Sequence, residues 1–130
     1  MIIYLDTSIA LDAVFDTPDR PALISWLCNN EHTFISSRLL RTEIIRALRC
    51  ESRPIVEADW LLARVGLLDI TRGTHARAEA IDEHVRSLDA IHLATALGLP
   101  IMPVIAARDG GLCRVARGLG FTVIESDVKR

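Results

Sequence analysis

Short, wholly apolar runs return along this chain, separated by stretches of helix length, and that alternation limits the fold more than any other feature. "MIIYL" at the start is apolar on both faces, which suits a strand buried in a parallel sheet. Residues 7–15 read as a short helix, broken by the "DTPDRP" turn at 16–21, and "ALISWLCNN" reads as a second helix. "TFIS" at 33–36 is the second strand, and Ser36 or Ser37 caps a helix running to about Cys50. "ESRP" stops that helix, and Pro54 stands near the start of another predicted to reach about Val65. "LLDI" at 67–70 is the third strand, followed by helices at 74–85 and 88–98, the second closed by Gly98 and Pro100. "IMPVIAA" is the fourth strand, where Pro103 points to an edge or an early strand position. "GGLCRVARGLG" is a helix with Gly120 as its stop, and "FTVIE" is the fifth strand. Strands alternating with helices predict an α/β fold, a parallel sheet covered on both faces. The 130 residues contain no repeat, low-complexity segment or linker, so one domain is expected over residues 1–130.

Composition removes several classes. Half the residues are hydrophobic, enough for a core and too many for disorder. No apolar run approaches the roughly 18 residues of a membrane span, and no basic segment precedes a hydrophobic stretch as in a signal peptide. Cys28, Cys50 and Cys113 are widely spaced and odd in number. They fit neither a zinc pattern nor a disulfide framework, and read as buried free thiols in a reducing cytoplasm. A formal net charge of −2 argues against bulk polyanion binding. Any nucleic-acid contact must come from local arginines, and Lys129 is the only lysine.

Four acids stand where a fold of this kind does not need them. Asp6 ends the first strand, where ligand sites of open α/β sheets form, although it also suits the N-cap of the next helix. Glu43, in "SSRLLRTEIIRALRC", falls between Leu39 on one side and Leu40 and Ala47 on the other, with Arg38, Arg41, Arg46 and Arg49 opposite. A buried salt bridge to an arginine is its plain explanation. Asp89 lies in the nearly apolar helix "RSLDAIHLATALGL", where Asp89, His92 and Thr95 make the single polar stripe. That stripe reads either as a narrow solvated face, with Asp89 favoured near the first turn, or as part of a site. Asp109 follows the fourth strand in "VIAARDGG", a place common for a turn or cap Asp. The ends of strands one and four can be neighbours across a topological switch point. Two carboxylates about 4 Å apart repel by roughly 4 kcal/mol at an effective dielectric near 20, and a dication removes that penalty. Oxygen donors without Cys or His pairs favour Mg²⁺ or Mn²⁺ over zinc.

"YLDTSIALD", "RTEIIRALR", "RSLDAIHLATA" and "ARDGGLCRVARGLGFTVI" resemble, in this order and spacing, the PIN domain. They look most like the VapC toxin ribonucleases of bacterial toxin–antitoxin pairs. The likeness covers essentially the whole chain, with "LDTS" and "LDAIHLATA" its most specific parts. It implies a three-layer α/β/α sandwich with a five-stranded parallel sheet in the order 3-2-1-4-5. It places Asp6, Glu43, Asp89 and Asp109 on the family's acidic quartet and Ser8 on the nearby hydroxyl. It further implies Mg²⁺-dependent endonucleolytic cleavage of RNA. The partner implied is a VapB-type antitoxin whose tail blocks the site, and a homodimer is usual. Where many members carry a Thr two residues before the fourth acid, this chain has Ala107, with Arg108 placed to neutralise Asp109.

On this reading Asp6 and Asp89 hold the main ion, while Glu43 and Asp109 orient its waters or complete a second ion site. Ser8 positions a water or a phosphate oxygen. Arg38, Arg41, Arg46, Arg49 and Arg53 are expected to flank one edge of the cleft, and Arg72, Arg77 and Arg86 another. His92 is expected to pack or hydrogen-bond rather than ligate, and Trp26 and Trp60 to pack or serve a dimer. Rival readings fit less well. A haloacid-dehalogenase-type phosphatase needs a second Asp where Ser8 stands, a receiver domain needs a lysine near a late strand, and no GK[ST] is present for a P-loop. The remaining alternative is a catalytically weak module of the same fold that binds RNA or protein.

Overall fold

The computed structural model describes residues 1–125; Lys129 lies outside them. Five parallel strands form one sheet: β1 (Ile2–Leu5), β2 (Thr33–Ser37), β3 (Val65–Leu68), β4 (Val104–Ala106) and β5 (Val123–Ile124). Their order is β3-β2-β1-β4-β5, the one expected. The helices are α1 (Thr7–Val14), α2 (Arg20–Leu27), α3 (Arg38–Cys50), α4 (Asp59–Leu62), α5 (Arg72–Glu79), α6 (Ser87–Leu97) and α7 (Gly110–Gly118).

Alternation along β1 sends its side chains to two cores. Ile3 and Leu5 join Ile9, Leu23, Leu40, Ile44, Leu48 and Leu61 on one face. Tyr4 joins Leu93, Ile105, Leu112 and Val115 on the other. Each fully buried Leu or Ile contributes about 1.5–3 kcal/mol. Trp26 stands edge-on to Phe34 at 5.0 Å, and Trp60 packs against the same core, so both serve packing.

Several boundaries differ from the sequence reading. The helix expected at 54–65 is a 3₁₀ turn, Ile55–Ala58, followed by the single turn of α4. Val65 leaves it early to pair with Phe34, so β3 starts ahead of the expected 67–70 and Asp69 falls outside the ladder. Thr71 and Thr74 form a reciprocal capping box, which starts α5 at Arg72, and residues 80–86 are loop rather than helix. β4 begins at Val104, just past Pro103, whose missing N–H cannot join a ladder; the strand is central, not an edge. Gly120 adopts φ +98 after α7, a left-handed conformation that glycine takes at little cost. Only Cys113 of the three thiols is buried, and burial pushes it up to about 11; Cys28 is partly covered and Cys50 is exposed. No helix among the described residues is long and apolar enough to cross a membrane.

Candidate active site at the carboxyl edge of the sheet

β1 lies between β2 and β4, so the chain reverses direction of winding at β1, and the crevice beyond β1 and β4 is the place for a ligand. Asp6 follows β1 and is fixed by its own N–H, which donates to the Ala106 carbonyl at 2.9 Å. Its Oδ2 accepts from the Ser8 N–H at 3.2 Å and the Ser8 hydroxyl at 2.5 Å. Ser8 Oγ in turn accepts from the Arg108 N–H at 2.9 Å, tying the start of α1 to the end of β4. Asp6 is therefore both the N-cap of α1 and a buried acid of the crevice.

Glu43 reaches the same crevice from α3. It does not pair with an arginine of its own helix. Its Oε1 accepts from Thr7 Oγ1 at 2.6 Å and lies 2.9 Å from His92 Nε2, which is also 3.0 Å from Thr7 Oγ1. His92 is only 2% exposed, and its Nδ1 lies 2.8 Å from the Tyr4 hydroxyl. The Ser37 N–H donates to that hydroxyl at 3.0 Å. His92 thus links two partners across the crevice: Nε2 hydrogen-bonds to Glu43 Oε1, and Nδ1 hydrogen-bonds to the Tyr4 hydroxyl. Burial pushes the Glu43 carboxyl up, but hydrogen bonds from His92 and Thr7, with electrostatic attraction to His92 and Arg86, outweigh it and hold the group below its ordinary range. Tyr4 is pushed well above its ordinary range, chiefly by burial.

Asp89 stands in the first turn of α6 and Asp109 caps α7, accepting from the Gly111 and Leu112 N–H groups at 2.9 and 3.1 Å. The stripe of Asp89, His92 and Thr95 is not a solvated face: His92 and Thr95 are buried and Asp89 turns to the crevice. Burial, together with the charges of Asp6 and Asp109, raises the Asp89 carboxyl above its ordinary range despite Arg86. Arg86 donates to Asp89 at 3.0 Å and to Asp109 as well. Arg108, expected to neutralise Asp109, instead turns away to Asp19 at 2.7 Å and Asp12 at 3.6 Å. Its backbone is held at Ser8, so its side chain leaves on the α1–α2 side.

The four expected acids thus come together, and Ser8 with them. Thr7, His92 and Arg86 also enter the site. Thr7 adjoins Asp6, while Arg86 and His92 lie one turn either side of Asp89, so helical spacing was the signal for both. As they stand, no three His, Cys, Asp or Glu side chains among the described residues already form a metal cage. The donor chemistry nevertheless fits a hard dication: hydroxyl and carboxylate oxygens converge, their charges repel, and a cation already bridges two of them.

Together the sheet order, the crevice and its acids define a PIN domain, and a PIN-domain family model matches residues 3–118, so the chain belongs to that family. Its sequence relatives are VapC proteins. The chain is 31% identical to Ribonuclease VapC46 of Mycobacterium tuberculosis, across 94% of this chain and 95% of that one. It is 32% identical to Ribonuclease VapC35 of the same species, across 95% and 96%. Among solved structures, VapBC2 from Rickettsia felis bound to a DNA fragment from their promoter aligns with a TM-score of 0.72 at 15% identity. That match spans 96% of this chain and 98% of the other, and speaks for the fold.

Proposed function

We propose that this protein is a divalent-metal-dependent endoribonuclease, a VapC-type toxin that works in the cytoplasm as a homodimer and is restrained by a VapB-type antitoxin. One observation carries the nuclease reading: acids from four separate segments share one crevice, and Asp6, Glu43, Asp89 and Asp109 all interact electrostatically with the single guanidinium of Arg86. The sequence relatives, all named as ribonucleases, support the same activity.

Asp6 and Asp89 would hold Mg²⁺ or Mn²⁺. When bound, such an ion lowers the pKa of water and offsets charge that develops on the phosphate. Ser8 holds Asp6 in place, and Glu43 stays ionised because Thr7 and His92 both donate to Oε1. Glu43 Oε2 has no protein partner among the described residues, which leaves it to orient the attacking water toward phosphorus. Asp109 does the same from the α7 side or completes a second ion site.

Asp6→Asn tests the reading cleanly, because Asn caps a helix as well as Asp. The expected result is a loss of RNA cleavage of about 100-fold or more with the circular dichroism spectrum unchanged. The wild type should lose cleavage in EDTA and regain it with Mg²⁺ or Mn²⁺. Undiminished cleavage by Asp6→Asn, or by metal-stripped wild type, would overturn the proposal.

A further inference from the structure

Arg86 is an unusual member of an acidic crevice. Its side chain is 74% exposed, yet its guanidinium is engaged by two carboxylates: Nε reaches Asp89 Oδ2 at 3.0 Å, and a terminal nitrogen reaches Asp109 Oδ2. Asp89 is only 14% exposed, so the guanidinium leans inward over it. The backbone permits this because Arg86 is the extended residue before α6, one helical turn from Asp89, and no side chain of its own caps the helix. Beside it opens a cavity of about 140 Å³ lined by His84, Arg86, Asp89, Asp109, Gly111 and Arg114. Arg114 faces that cavity while pairing with Glu83 rather than with the site acids.

A guanidinium cannot stay where a dication must go. Both seek the same carboxylate oxygens, and at such distances two positive charges repel strongly. Its exposed position gives Arg86 somewhere to move. A planar fork of five donors suits a phosphodiester oxygen pair as well as it suits carboxylates.

We infer that Arg86 is the built-in counter-cation of the acid site: it bridges Asp89 and Asp109 until a dication takes their oxygens, and then grips an RNA phosphate in the adjoining cavity. Arg86 thus competes with metal when RNA is absent and couples metal loading to RNA binding when it is present. This rests on the nuclease reading above for its substrate, but not for the competition itself.

The test uses Mn²⁺ titration by calorimetry on the whole protein without RNA, comparing wild type, Arg86→Gln and Arg114→Gln. Arg114→Gln removes the same charge from the same cavity without touching the bridge. Arg86→Gln is expected to bind Mn²⁺ about fivefold tighter or more, the scale of losing exposed ion pairs, and Arg114→Gln to stay within about twofold of wild type. The second arm measures anisotropy of a labelled 2′-O-methyl oligoribonucleotide with Ca²⁺. Adding Ca²⁺ should tighten wild-type binding by more than it tightens that of Arg86→Gln. Equal Mn²⁺ affinities in wild type and Arg86→Gln, equal gains in Arg86→Gln and Arg114→Gln, or an equal response to Ca²⁺ in wild type and Arg86→Gln would each overturn the inference. If the wild type cuts RNA while Arg86→Gln binds Mn²⁺ no tighter, only the role of Arg86 falls. If Arg86→Gln does bind tighter but no metal supports cleavage, the counter-cation stands and the nuclease reading falls. If neither protein binds Mn²⁺, both fall.

Discussion

Asp6 and Asp109 each close the first turn of a helix while turning carboxylate oxygen toward the crevice, so cap and acid are one arrangement at both positions. Both carboxylates accept backbone N–H groups of the helix they cap. Asp89 has less support. Its folded carboxyl is held above the ordinary 3.8 by burial and by Asp6 and Asp109. The folded chain therefore binds this proton more tightly than the unfolded chain does, and stability from this group declines as pH rises from 3.8 through the folded value. Glu43 has the opposite sign: its contribution is present above about 4.5 and fades as pH falls through its lowered folded value. Asp89→Asn should accordingly raise the melting temperature of metal-free protein at pH 7, with the gain shrinking toward pH 4, as differential scanning fluorimetry would record. A lower melting temperature at pH 7 would contradict the charge repulsion. Glu43 and Asp89 were legible as acids on otherwise apolar helices. That Glu43 answers His92 and Thr7 rather than an arginine was not, because the partners lie 49 and 36 residues away.

The site depends on two helices held in place by their apolar sides. Leu40, Ile44 and Leu48 bury one stripe of α3, and Glu43 projects from its border into the crevice. Ser37 starts this helix by accepting from the Leu39 N–H at 3.0 Å. On α6, Leu93 and Ala96 are buried in the second core, beside the turn that carries His92. Leu40→Ala should cost about 2–5 kcal/mol in urea unfolding, as a fully buried leucine does. Val56→Ala, on the exposed 3₁₀ turn, should stay within about 0.5 kcal/mol. A cost for Leu40→Ala no larger than that for Val56→Ala would mean that α3 is not anchored by its apolar stripe. The long helices could be read from their period of apolar residues. The segment at 54–65 could not, because pairing of Val65 with Phe34 overrides local helix preference there.

Across the molecule, arginines divide into those already engaged and those without an ionic partner. Arg53 pairs with Glu57 at 2.6 Å and lies over the Phe15 ring, and Arg77 donates to the Ala94 carbonyl at 3.1 Å. Neither is the free cleft-edge cation expected from sequence. Arg38, Arg46 and Arg49 are exposed on α3 and form no ion pair among the described residues. A net charge of −2 makes such local cations the natural route to a polyanion. Replacing Arg46 with Gln should therefore lower the slope of log affinity for single-stranded RNA against log salt by roughly 0.7, the value for one phosphate contact. Arg53→Gln should leave the slope unchanged. Equal slopes for wild type and Arg46→Gln would remove α3 from the RNA path.

By itself the sequence determined the elements that periodicity encodes, the parallel α/β class, and which acids were out of place, because burial patterns and helix faces are local properties of a chain. Only the tertiary structure decided which partner each charged group found. Strand order brings Asp6 to the Ala106 carbonyl and sets α6 against β2, and the same packing turns Arg108 away and lays Arg86 over Asp89 and Asp109. Charges act through space at a few ångströms, and neighbours at that range are chosen by the fold rather than by distance along the chain.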